Sequence, residues 1–152
     1  MTGRVTPPWV IITSLIICIL GLVDAAYLTF EHYTASSTLA CSENGAINCL
    51  KVTTSSYSKV LGLPVALLGL IFFIAMTALC LPQAWRSRRA WIRPVRLGAS
   101  IVGMISVLYL LWAELFRIDA ICLFCTGVHI LTFLLFALVA TEATGVLEPI
   151  ED

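Results

Sequence analysis

Charge is what this sequence is shortest of. Asp, Glu, Lys and Arg make up 12% of its 152 residues, about half the share of a soluble domain, and the formal net charge is +0. That balance excludes a basic surface for nucleic acid and a strongly charged face for any other partner. In place of charge, 60% of the chain is hydrophobic and its mean hydropathy is +1.00. An ordinary soluble globule is excluded, and a protein embedded in the lipid bilayer is expected.

Long apolar runs are abundant. Four of them, roughly Trp9–Phe30, Leu61–Leu81, Leu97–Ala113 and Ile121–Ala140, approach or reach the about 17–25 residues of a spanning helix. The third extends at both ends, because Arg96 can snorkel and Trp112 suits an interface. The sequence therefore predicts one all-α membrane domain over 1–152, a bundle of four transmembrane helices at about 9–30, 61–81, 96–115 and 120–140. Ala25-Ala26 could pass for a signal-peptide cleavage site, but the first run exceeds a signal core and its basic flank is Arg4 alone, so a retained span is expected. Small residues on the second run (Gly62, Ala66, Gly69, Ala75, Ala78) and the third (Gly98, Ala99, Ser100, Gly103) favour close helix packing.

The basic residues predict orientation. Arg4, Arg86, Arg88, Arg89, Arg93 and Arg96 fall on one side, and Lys51, Lys59 and Arg117 on the other. Positive charge stays inside, so both termini are expected in the cytoplasm of a plasma or inner membrane. The loop of about residues 31–60 then faces the periplasmic or extracellular, oxidising side. Within it Cys41 and Cys49 flank Asn44-Gly45, a strong turn signal. A bridge over so short a loop contributes only about 2.5 kcal/mol, which suits reversible chemistry better than permanent bracing. Leu50 to Val60 mixes polar and apolar residues and is expected to lie on the membrane face as a short amphipathic helix or turn.

The stretch that organises the chain is Cys122-Leu123-Phe124-Cys125, at the head of the last run. On a helix, residues three apart are neighbours, so both sulfurs would share one face, with His129 about one turn further along the same stripe. Two thiols and an imidazole at a membrane edge point to redox chemistry with a lipid-soluble acceptor. Tyr109, Trp112, Glu114 and Phe116 close the third run nearby, and Tyr109 and Trp112 could line a pocket for a flat ring or simply form an interfacial belt. Asp24, a carboxyl near the outer end of the first run, is either functional or a polar contact between helices. Cys18 and Cys80 stand alone in their runs and are expected to be plain core residues.

The ordered set of Cys41, Cys49, Ser55, Gly62-Leu63-Pro64-Val65 and Cys122-Leu123-Phe124-Cys125 resembles the vitamin K epoxide reductase family, in its prokaryotic disulfide-forming branch. Tyr27-Leu28-Thr29 with Glu31-His32-Tyr33 resembles that family's first-span end. The resemblance implies a membrane thiol–disulfide oxidoreductase, close in role to a DsbB protein. Cys41 would meet a soluble thioredoxin-fold (DsbA-like) partner, expected to be a separate protein. Cys49 would shuttle between Cys41 and Cys122, and Cys125 would face the electron acceptor, a membrane quinone (menaquinone or ubiquinone). Ser55, His129, Tyr109, Trp112 and Phe124 are the expected quinone-side residues, and no metal is expected.

Two other classes compete. A cysteine-relay heavy-metal transporter needs thiols along its path and a receiving pair on the inner side, where this sequence has single cysteines and arginines. A tetraspan scaffold with one stapled loop leaves the Cys122/Cys125 pair and His129 without a purpose.

Overall fold

The computed structural model describes residues 6–34, 46–60, 62–87 and 89–145. Its elements run in the order α1 (Pro8–Thr34), α2 (Cys49–Thr53), a 3-10 turn (Ser56–Ser58), β1 (Lys59–Val60), β2 (Leu63–Pro64), α3 (Val65–Cys80), α4 (Pro82–Trp85), α5 (Ile92–Ala113), a π-helical turn (Glu114–Ile118) and α6 (Leu123–Thr144). This is an all-α membrane protein with one minimal hairpin. Three helical stretches, Pro8–Thr34, Ile92–Ile118 and Leu123–Thr144, are long and apolar enough to cross a membrane. The second expected span is shorter than foreseen. Helix α3 has 16 residues, about 24 Å at the helical rise against a hydrocarbon core of about 30 Å. Leu61 is outside the described residues, and Gly62 takes φ +82° in the turn that pairs β1 with β2, so helical geometry begins only after Pro64.

The segment expected to lie on the membrane face is helical over only part of its length. Only Cys49–Thr53 is α-helical, and the rest is the 3-10 turn and β1. Ser and Thr side chains there return to nearby carbonyls, as in Thr54 Oγ1 to Leu50 O at 2.7 Å and Ser58 Oγ to Ser55 O at 2.7 Å, which competes with helix continuation.

The long helices alternate in direction. Helix α1 packs on α3 and α6, and α5 packs on α6 and α3. Leu, Ile and Val side chains such as Ile12, Ile16, Val102, Ile105 and Ile130 face outward, as lipid contact requires. Inside, Cys18, Phe73, Met76, Leu135 and Val139 form the main core. At one end Arg93 pairs with Glu142 at 2.8 Å, joining the start of α5 to the end of α6. The neighbouring Arg96 does not snorkel as expected. It is 1% exposed, donates from Nε to the Leu79 carbonyl at 2.9 Å and stacks on the Trp85 ring at 3.4 Å. A carbonyl in the last turn of α3 has no intrahelical partner, and the guanidinium supplies one.

Close approach of α1 to α3 depends on Gly21. A Cβ there would run into the ring of Phe73, which is fully buried and has nowhere to turn. Gly21→Ala is expected to destabilise the fold by about 1–3 kcal/mol, as overpacking does. A lower thermal midpoint in detergent checks this, and Gly98→Ala, where a Cβ meets open space, should leave the midpoint in place.

Candidate active site

The site is assembled by a two-residue splice. Ile47 and Ile121 form an isolated parallel bridge, in which the Asn48 N–H donates to the Ile121 carbonyl at 3.1 Å and the Ile121 N–H to the Ala46 carbonyl at 2.9 Å. Cys49 lies two residues beyond Ile47, and Cys122 one residue beyond Ile121. Both are 0% exposed and share an apolar cluster with Leu28, Val52, Ala113, Ile118 and Ala120. Asn48 starts α2 by accepting the Lys51 N–H at 2.8 Å. The Lys51 ammonium reaches the Asp119 carbonyl at 3.4 Å, a second tie between the same two segments.

The other half of the splice is shaped by the end of α5. Its last turns widen into the π-helical turn, and Asp119 at φ 52° then reverses the chain. The Ala120 N–H returns to the Glu114 carbonyl at 3.3 Å. π-helical turns and left-handed non-glycine residues both cost energy and cluster where a chain must be aimed. Here they deliver Ala120 to Cys122 beside α2.

Cys122 and Cys125 do not both lie on the helix, contrary to expectation. Cys122 is extended (φ −103°, ψ 120°) and serves as the N-cap of α6, its Sγ accepting the Cys125 N–H at 3.3 Å. Sulfur thus takes the place usually held by a Ser or Asp oxygen. The consequence is electrostatic. A hydrogen bond from the Cys125 thiol, helped by the N–H groups of Cys125 and Phe124, holds the Cys122 thiol below its ordinary range. Burial and the Glu114 carboxyl oppose that shift without cancelling it. Cys122 is therefore the better thiolate of the pair. Both are free, whereas Cys49 is disulfide-bonded. Cys41, the expected partner of Cys49, lies outside the described residues.

Three polar side chains surround this pair. His129 is 4% exposed, and its Nδ1 is buried with no hydrogen-bond partner among the described residues. Glu114, which sequence reasoning grouped with the span-end aromatics, is 4% exposed and close enough to act on both thiols. An acid ending an apolar span just before a Cys-x-x-Cys was its available signal. Asp24 rests against α6 where Gly127 leaves room, 2.8 Å from the place a Cβ would occupy, and its Oδ1 is buried without a partner among the described residues.

The expected aromatic residues divide. Phe124 packs on the dithiol cluster and against the Tyr27 ring at 4.9 Å. Tyr109 and Trp112 are 44% and 45% exposed and lie on the outer side of α5. Trp112 meets Tyr57 edge to face at 6.4 Å, and Arg117 donates to the Tyr57 hydroxyl at 2.8 Å, so these groups clasp the membrane-face segment to α5. The Ser55 hydroxyl donates to the Val52 carbonyl at 2.8 Å and caps nothing.

The depressed Cys122 pKa has a pH signature. In the reduced protein Cys122 keeps its thiolate as pH falls below about 8.5, where an ordinary thiol is protonated. Cys125→Ala removes the first of the supporting donors, so the onset of thiolate absorbance should move to higher pH. An unchanged titration would show that the Cys125 thiol does not support the Cys122 thiolate.

Comparison with known families agrees with this architecture. The vitamin K epoxide reductase family matches residues 12–140, which takes in most of α1, the splice, α3, α5 and most of α6. That family marks the protein as a membrane oxidoreductase acting on disulfides. The chain belongs to the vitamin K epoxide reductase family.

Proposed function

We propose that this protein oxidises a soluble thioredoxin-fold protein of the DsbA type and passes the electrons to a membrane quinone. All four long helices cross the bilayer in this reading, α3 with help from the hairpin before it and α4 after it. The arginine-rich end and both termini face the cytoplasm, and the splice faces the outer compartment.

The observation that carries the proposal is the placement of Cys49 and Cys122 in one buried cluster by the Ile47–Ile121 bridge. Thiol–disulfide exchange needs a thiolate and a disulfide sulfur brought together, and this splice puts the loop cysteine that would attack in the same cluster as Cys122 of the second pair. The partner's dithiol reduces the Cys41–Cys49 disulfide and leaves with a disulfide of its own. Cys49 then hands its electrons to the oxidised Cys122–Cys125 pair. The reduced pair gives two electrons and two protons to the quinone, which leaves as hydroquinone. Cys125, in the first turn of α6 and half-buried, is the thiol that faces the ring. His129, one turn further along, has a buried nitrogen free to bond a carbonyl oxygen or carry its proton. Glu114 and Asp24 are placed to exchange protons with the thiols.

The test is quinone reduction by purified protein in nanodiscs, with a reduced thioredoxin-fold protein as donor. Cys122→Ala and Cys125→Ala are each expected to abolish turnover. Cys41→Ala should block the protein donor while a small membrane-permeant dithiol still drives reduction. His129→Ala should slow quinone reduction by about 10²–10⁴-fold if it transfers protons. Equal activity of Cys41→Ala and Cys125→Ala with the small dithiol would overturn the order of the relay.

A further inference from the structure

Two cysteines take no part in that relay. Cys18 on α1 and Cys80 at the last position of α3 are free and 0% exposed. Sequence spacing makes them look solitary, but the fold puts both in one buried core cluster, where each thiol feels the other and the Arg96 guanidinium. The fully buried Ser14, one turn before Cys18 on α1, adds a hydroxyl near the Cys80 thiol. Beside them is Arg96, held by the Leu79 carbonyl and the Trp85 ring, with its Nη2 buried and unpartnered among the described residues. The other acid near this guanidinium, Glu142, is already bound by Arg93 at 2.8 Å.

We propose that Cys18 and Cys80 form a two-coordinate site for a soft monovalent cation of the Cu(I) class. The first argument is ligand type. Thiolates select soft cations, and a linear sulfur–metal–sulfur unit needs no third ligand and no water, so it suits a dry site between two helices. Zinc is disfavoured, because it takes four ligands and no group of three or more His, Cys, Asp or Glu is gathered among the described residues.

The second argument is charge. Two thiolates around a monovalent cation carry one net negative charge, opposite to the positive charge on Arg96. The buried assembly closes neutral, with the thiol protons released on binding. A Cys18–Cys80 disulfide would carry no charge and would leave the buried guanidinium with only the Glu142 carboxylate that Arg93 already binds, an expensive arrangement. Charge balance therefore favours the metal over the cross-link. The site lies apart from the relay cysteines, toward the arginine-rich end of the bundle, and does not depend on quinone chemistry.

The test uses the full chain in detergent with Cys41, Cys49, Cys122 and Cys125 all replaced by serine, so that Cys18 and Cys80 are the remaining thiols. Cu(I) is titrated against a chromogenic Cu(I) chelator under reducing, anaerobic conditions. The expected result is one Cu(I) per chain, lost when either Cys18→Ser or Cys80→Ser is added. Arg96→Met should keep the stoichiometry while weakening affinity about tenfold or more, since it leaves the anionic centre unbalanced. If the four-serine chain does not fold, the wild type is titrated with and without Cys80→Ser, and the count should fall by one. A folded four-serine chain that takes up no Cu(I), or a wild-type count that Cys80→Ser leaves unchanged, overturns the proposal. So does ready closure of a Cys18–Cys80 disulfide by diamide, read as a mass lower by two hydrogens, in a chain that binds no Cu(I).

Discussion

Two backbone hydrogen bonds between Ala46–Asn48 and Ile121 hold the chemistry of this protein together. They lie between a loop and the head of a helix, and each cysteine of interest follows within two residues. Their value is positional, since a pair of such bonds contributes only about 1–3 kcal/mol in net terms. Burial supplies the rest, because Cys49 and Cys122, which follow the bridge, are enclosed with Val52, Ala113, Ile118 and Ala120. Loss of the bridge would free the loop cysteine from the helix head while leaving the bundle standing.

The two ends of the bundle solve the problem of helix termini differently. At the splice, α6 begins with a sulfur cap, and the first-turn N–H groups that need an acceptor are the ones that support a thiolate. Capping and reactivity are one interaction there. At the other end, Arg96 closes the Leu79 carbonyl of α3 and stacks on Trp85, while Arg93 holds Glu142. That end is rich in fixed positive charge, and its buried guanidinium gives the Cys18–Cys80 pair an electrostatic setting quite unlike that of Cys122 and Cys125.

Between the ends, close helix approach is set by single atoms. Gly21 admits Phe73, Gly103 admits Phe72, and Gly127 admits the Asp24 carboxyl. The last of these differs in kind, because it seats a polar group instead of a ring, with one oxygen unpartnered among the described residues. Together with His129 and Glu114, it leaves acid–base groups in the interior near the dithiol. A purely structural bundle would gain nothing by burying them.

The sequence by itself determined the membrane class, the apolar helices and the family. Those features rest on composition, run length and ordered motifs, which are properties of local sequence. It was less exact where neighbours decide. The second apolar run starts its helix late because Gly62 sits in a hairpin turn, and Cys122 leaves the helix because its sulfur serves as a cap. Arg96 turns inward because a helix end and an indole await it there. Only the tertiary structure set Cys49 beside Cys122, put Tyr109 and Trp112 on the outer face of α5, and brought Cys18 to Cys80. The reason is the same each time. Contacts between residues far apart in sequence depend on how helices rotate about their axes and where backbone donors find acceptors, and neither is written in any one stretch of the chain.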